Sequence, residues 1–257
     1  MKITTVAKHY FSHPSIWLYI IIALALGVLS IVKGYFEANW YSFIIIILLA
    51  PFFEWFVHKY ILHFQIGNIV EVENKGNQKI GDKISLLING AQKSLKIIDI
   101  KENTIIAGYG LAKNKFVREY MQRLHFGHHA HPETIHLVFA QTSAALLIFI
   151  GFFAITLLFT SSIAFAVVFT FYVVLYYLHY EWMHLAHHIP GYKHFFPWSN
   201  KLKTAHLLHH YSNENYWWGI TNNLGDLILG TFPKKNEIGA SKTVRNINHE
   251  PNSVEVL

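Results

Sequence analysis

The sequence predicts an all-α integral membrane protein with four transmembrane helices in two hairpins, a cytosolic histidine-rich helical cap and a small β-rich insert. Three observations carry this. Hydrophobic residues make up 53% of the 257-residue chain and charged residues 14%, whereas a soluble domain carries about a quarter charged residues. Four apolar runs, 16–32, 40–57, 137–159 and 163–178, each approach the roughly 20 residues that cross a bilayer as helix. Most of the 18 histidines fall in four clusters, each just beyond the end of a run or in a segment placed in the cytoplasm.

The first run is read as a retained helix rather than a signal peptide. The "KGYFEANW" that follows it lacks a small-residue cleavage pattern, and the next run begins almost at once. The second run ends in "FFEWFVH" and the fourth in "YYLHYEW", aromatic clusters of the kind found at the membrane interface. Lys and Arg set the orientation. Two lie in 1–15, one in 33–39, eleven in 58–134, none in 160–162 and seven in 181–257, so 20 of 21 share one side if the chain crosses four times. That side is expected to be the cytoplasm. The net charge of +6 therefore reads as orientation and lipid contact, not as a nucleic-acid footprint. With no cysteine, disulfides, thiolate metal sites and cysteine nucleophiles are excluded.

The chain divides into an N-terminal hairpin with the first histidine pair (1–66), a β-rich cytoplasmic insert (67–115), a second hairpin with the remaining histidine clusters (116–233) and a polar, loose tail (234–257). The insert contains "KISLLING" and "SLKIIDIKENTIIAGYG". These are rich in β-branched residues and sit with Asn-Gly and Asn-Lys-Gly turn signals. The insert has no histidine. It is expected to cover the site, dock an electron donor or select a headgroup, or else to be a neutral insertion whose deletion leaves metal binding intact.

Four clusters hold most of the histidines: "HKYILH" (His58, His63), "HFGHHAH" (His125, His128, His129, His131), "HYEWMHLAHH" (His179, His184, His187, His188) and "HLLHH" (His206, His209, His210). H-x-x-H-H occurs three times. On a helix, positions i, i+3 and i+4 share one face, and adjacent histidines diverge by about 100°. One can therefore serve one metal and its neighbour a second. His58 and His63, five apart, splay by about 140° on an ordinary helix and are also expected to serve different ions. Ten imidazoles (His58, His63, His125, His128, His129, His184, His188, His206, His209 and His210) suit two metals with about five ligands each; a single zinc needs four. Imidazole suits iron, zinc, copper and nickel, and spacing does not choose among them. His187 and His179 are additional or supporting candidates. Glu54, Glu181 and Asp226 are each placed to accept an N–H from a liganding histidine. His9, His13, His194 and His249 read as ordinary surface or hydrogen-bonded residues, as do His131 and His136.

The set "EWFVHKYILH", "LHFGHHAHPETIHLVFA", "YEWMHLAHH" and "HLLHHYSNENYWWGITNNLGDLILGTF" resembles the fatty acid hydroxylase / sterol desaturase superfamily of membrane di-metal oxygenases. Within it, the likeness is to the fatty acid 2-hydroxylase branch. The resemblance covers 40–66 and 117–233. It implies a helical membrane fold with a cytosolic cap over two iron ions, zinc being an alternative occupant of the purified protein. It also implies O2 and two reducing equivalents spent on hydroxylating a lipid acyl chain. Carried over by motif, one metal takes His63, His125, His128, His184 and His206, and the other His58, His129, His188, His209 and His210. The third box ends one residue earlier than is usual in that branch, which favours His188 over His187. The short stretch before the first run leaves no room for a fused haem domain. A separate ferredoxin or cytochrome donor and a bacterial inner membrane are therefore expected. Trp55, Tyr180, Trp217 and Trp218 are candidate walls of the lipid channel. No motif reports the oligomeric state.

Two rival readings remain at this stage. A desaturase, or a sterol or carotenoid hydroxylase, uses the same boxes. A metal transporter or sensor requires ionisable residues forming a path through the membrane helices, and the runs offer only Gln141 and residues near their ends.

Overall fold

The computed structural model describes residues 3–74, 76–88, 91–249 and 254–256. Helices α1 (Ile3–Ser12), α2 (Pro14–Val32), α3 (Tyr35–Asn39) and α4 (Ser42–Phe56) come first. The chain from α4 then continues through a π-helical turn, Val57–Leu62. After the sheet come α5 (Lys115–Met121), a second π-helical turn (Gln122–Phe126), α6 (Gly127–Ala130), α7 (Ile135–Val138), α8 (Thr142–Thr160), α9 (Ile163–His188), α10 (Pro197–Tyr211) and α11 (Leu224–Ile228).

Four helical stretches, Pro14–Val32, Ser42–Leu62, Ile135–Thr160 and Ile163–His188, are long and apolar enough to cross a membrane. This makes the chain an integral membrane protein by length and composition. Helix α9 is the centre: α2, α4 and α8 all pack against it. It starts at Ser162, whose hydroxyl accepts the amide N–H of Phe165. Its buried stripe includes Phe165, Phe169, Val173 and Val174. Away from α9 the other spans expose large apolar side chains such as Ile31, Leu48, Leu147 and Phe159, as helices bounded by lipid do. The first fifteen residues also contribute: α1 buries Val6 and Tyr10, and the Tyr10 hydroxyl donates to the Leu178 carbonyl at 2.7 Å.

The insert is an antiparallel sheet of β1 (Ile69–Glu73), β2 (Lys83–Ile88), β3 (Ala91–Lys101), β4 (Thr104–Gly108) and β5 (Val254–Val256), in the order β1-β4-β3-β2-β5. The Asn89–Gly90 turn signal and Lys75 lie outside the described residues. Val70, Leu86, Ile88, Leu95, Ile97 and Ile105 form the sheet's own core, and a bulge between Ile97 and Asp99 bends β3. The tail is less detached than its composition predicts. β5 pairs with β2, Ile247 is buried, and the Ile69 amide donates to the Asn248 carbonyl at 2.7 Å. Nor is the insert a free-standing appendage. Ile69 and Ala112 pack with Met121, Leu124, Phe126 and Ile247 in one apolar cluster. That cluster covers the helical segment bearing the second histidine box.

Candidate metal centre

The ten imidazoles singled out above are all buried and fall into two groups. His58, His63, His125, His129 and His209 form one; His128, His184, His188, His206 and His210 form the other. Within each group, one ring nitrogen per residue lies within 4.8 Å of all the others. The groups adjoin: the rings of His129 and His210 are 4.1 Å apart and those of His209 and His210 5.3 Å.

Five-and-five is the count the spacing suggests, but membership differs from the assignment carried over by motif. His63 and His125 lie with His58 and His129, while His128, His184 and His206 lie with His188 and His210. The local backbone explains the sorting. In each H-x-x-H-H, the i and i+4 residues share a group and the i+3 residue turns away. His125 and His129 are together, with His128 across; His206 and His210 are together, with His209 across. His58 and His63 do not splay, contrary to expectation. They sit on a π-helical turn in which the His63 amide donates to the His58 carbonyl at 3.1 Å. An i→i+5 turn stacks residues five apart, and the two rings lie 5.2 Å apart. A second π-helical turn leads into the second box. There, a β-carbon on Gly127 would lie 2.6 Å from the Gln122 carbonyl oxygen, so the tight crossing requires glycine.

The donor chemistry fits a cation. His58 Nδ1 donates to the Trp218 carbonyl at 2.6 Å, His209 Nδ1 to that of Tyr216 at 2.7 Å and His129 Nδ1 to that of Val244 at 3.0 Å. A neutral imidazole has one N–H, so each of these rings presents a bare Nε2 lone pair to the centre of its group. Those nitrogens face one another: His58 to His125 at 3.2 Å, His63 to His125 at 3.1 Å and His209 to His63 at 3.3 Å. In the second group, His128 faces His184 at 3.1 Å and His188 faces His206 at 2.8 Å. Among the described residues, His129 Nε2 and both ring nitrogens of His210 have no hydrogen-bond partner. Converging buried lone pairs without donors are costly unless an ion sits among them, at about 2 Å from each ligand nitrogen. Burial first, then the neighbouring imidazoles, push the pKa of His63, His125, His128, His206 and His210 well below the ordinary histidine value. Burial, opposed by the Val244 carbonyl, lowers that of His129 to about 3. The rings are thus neutral at pH 7, the form that binds metal.

No hydrogen bond joins any of the three carboxylates to one of these histidines among the described residues, contrary to expectation; they hold backbone amides and hydroxyls instead. Asp226 accepts the amides of Trp218 (3.0 Å) and Gly219 (2.7 Å) and the Thr231 hydroxyl (2.6 Å). The Gly219 amide belongs to the same peptide unit as the Trp218 carbonyl that takes the His58 proton, so Asp226 orients His58 through one polarised peptide. Glu54 accepts the amides of Ile220 and Thr221 and the hydroxyls of Thr221 and Tyr176. Glu181 accepts the Tyr177 hydroxyl and the Ala140 amide. A β-carbon at Gly219 would meet the Asn222 carbonyl at 2.0 Å, so this loop also depends on a glycine. Asp226→Asn is expected to destabilise the protein by about 2 kcal/mol and to weaken metal retention. Thermal unfolding and elemental analysis of the same preparation check both.

His187 and His179 join neither group. His187 Nε2 donates to the Ile220 carbonyl at 2.9 Å, and its Nδ1 accepts from His194 at 3.1 Å. His194, read from sequence as ordinary, is therefore part of the support. His179 lies on the exposed face of α9. His131 is also exposed, 3.6 Å from Glu133.

A cavity of about 200 Å³ runs from the membrane helices to the histidines. Ile46, Phe53, Ile148 and Phe169 line it, and His58 and Tyr180 are among its wall residues. The Tyr180 ring lies 5.8 Å from that of His184, so the cavity approaches both groups. Of the four aromatic residues expected to wall a channel, only Tyr180 does so. Trp55 donates to the Thr231 hydroxyl and Trp217 to the Pro233 carbonyl. Trp218 packs on the rings of His58, His63 and His209. Tyr176 and Tyr177 line the cavity without having been singled out in the sequence; at the end of an apolar run they carried no signal beyond an interface belt.

Residues 113–231 match the fatty acid hydroxylase family. Among solved structures, the chain is similar to one described as full-length Scs7p with only its hydroxylase domain visible, with a TM-score of 0.57 and 16% identity. The likeness covers 87% of this chain and 69% of that one. No curated protein sequence matches the chain.

Proposed function

We propose, from the match of residues 113–231 to the fatty acid hydroxylase family, that this protein is a membrane-bound di-iron oxygenase. It hydroxylates a lipid acyl chain with O2 and two reducing equivalents from a separate ferredoxin or cytochrome. The observation that carries this reading is a pair of adjoining five-imidazole groups, one of which meets, at His58, an apolar cavity that opens from the membrane helices. An acyl chain fits such a slot without leaving the bilayer, and its apolar wall keeps water from the reacting carbon. Two irons held by the ten imidazoles would supply O2 activation and electron transfer. The chain's own residues do the rest. His58 and Tyr180 mark where the cavity meets the histidines, and the Trp218 and Tyr216 carbonyls fix the tautomers of His58 and His209. The resemblance of the motif order to the fatty acid 2-hydroxylase branch supports hydroxylation of an acyl chain. The distribution of Lys and Arg supports a cytoplasmic side for the histidines.

The test pairs two measurements. Elemental analysis of untagged protein from iron-supplemented cells should give about two metal ions per chain, one for each imidazole group. Lipid extracts of expressing cells should contain a fatty acid species heavier by one oxygen. Metal in place with only a desaturated product would transfer the protein to the desaturase chemistry; no bound metal would remove the oxygenase reading.

A further inference from the structure

A second cavity, of about 520 Å³, reaches the first histidine group at His63. His63 is on its wall, and so is Trp218, whose ring lies 4.7 Å from that of His63. It is more polar than the first cavity, although Tyr60, Phe64 and Ile247 also line it. Glu214, Asn215, Thr243, Asn248 and Lys59 line it. Glu214, Asn248 and Trp218 are each more than nine-tenths buried. Each carries polar atoms without a protein partner: Glu214 Oε2, both amide atoms of Asn248, and Trp218 Nε1. Buried polar atoms of this kind are satisfied by water or by a polar ligand. Glu214 is fixed in place, since its Oε1 accepts the hydroxyls of Ser241 and Thr243, while the buried Oε2 has no hydrogen-bond partner among the described residues. Lys59 is engaged elsewhere, its ammonium lying 4.6 Å from the Trp55 ring centroid and 5.4 Å from that of Tyr60.

We propose that this polar cavity is the aqueous vestibule through which divalent metal ions reach the histidine groups, with the Glu214 carboxylate their first ligand on the way in. The inference rests on the metal-centre reading above. A hydrated dication cannot shed its water into an apolar slot filled by lipid. In the polar cavity it keeps part of its shell until imidazoles replace it, His63 first. A carboxylate in a narrow cleft also concentrates cations there. The two cavities then divide the traffic, lipid through the apolar one and ions through the polar one.

The experiment uses the full chain in detergent, stripped by a chelator and mixed with Co2+. The visible absorption of imidazole-bound Co2+ gives the loading rate, and elemental analysis gives the final content. Glu214→Gln keeps the acceptor for Ser241 and Thr243 but removes the charge. It is expected to load about tenfold more slowly, to the same final content, and to lose the slowing by salt that wild type shows. Thr243→Trp, which fills the cavity, should also load slowly. Ala145→Phe, in the wall of the apolar cavity, should load at the wild-type rate. Wild-type rates in both Glu214→Gln and Thr243→Trp would overturn the route, as would slow loading in Ala145→Phe alone. A wild-type protein that takes up no Co2+ would instead overturn the metal-centre reading itself.

Discussion

His209→Ala is expected to lose the ion of its own group and, with it, activity, while the second group keeps its ion. The His209 ring packs on those of His58, His63 and His129 at 4.6, 5.0 and 4.8 Å. Its Nδ1 proton is fixed by Tyr216, so the side chain offers a lone pair in one direction only. Its loss removes a ligand outright. The loss of affinity should exceed the roughly 10–100-fold that removal of a supporting hydrogen bond costs. The truncation also leaves a void beside Trp218. Double variants separate the observed grouping from the one the family motif suggests. His209 and His210 share a metal in the motif assignment but lie in different groups here, whereas His63 and His209 lie in the same group. His63→Ala with His209→Ala should therefore leave about half the metal, and His209→Ala with His210→Ala almost none. Elemental analysis decides between them, and a fully active His209→Ala protein would undo the ligand assignment.

The difference between those groupings shows what a sequence does and does not reveal here. The identity of the ten imidazoles was legible, because H-x-x-H-H three times over has a helical meaning. So were the four apolar helices and the β-rich insert, whose patterns are strong over many residues. Which imidazole faces which was not. That depends on two π-helical turns, Val57–Leu62 and Gln122–Phe126, and a single extra residue in a turn leaves little trace in composition. The roles of the carboxylates were misjudged for a related reason. Glu54 and Glu181 have the right spacing to meet a histidine, but Glu54 and Asp226 hold the 218–221 loop, and the groups that orient the rings are the carbonyls of Trp218, Tyr216 and Val244. A backbone carbonyl contributes through its position, which residue identity does not encode. The apolar cavity was half legible: Tyr180 could be named as a wall, but the tryptophans beside it turned out to brace loops and rings.

Replacing 67–115 with a short linker is expected to lower the melting temperature sharply and to lose metal, contrary to what a neutral insertion predicts. Ile69 and Ala112 lie under the same apolar cluster as Leu124 and Phe126, residues on either side of His125. Removing the sheet would expose Met121, Leu124, Phe126 and Ile247, and each large side chain so exposed costs about 1.5–3 kcal/mol. The deletion also frees the tail, which holds β1 through the Asn248 carbonyl and the His129 ring through the Val244 carbonyl. A point variant separates the sheet's own stability from its support of the site. Leu95→Ala, deep in the sheet core, should cost about 2–5 kcal/mol locally while leaving metal content unchanged, because no residue of that core lies on the helices bearing the histidines. Thermal melting with elemental analysis reads both variants. If the deletion kept its metal and its melting temperature, the sheet would be an appendage. If Leu95→Ala lost metal as well, the sheet and the histidine helices would unfold as one cooperative unit.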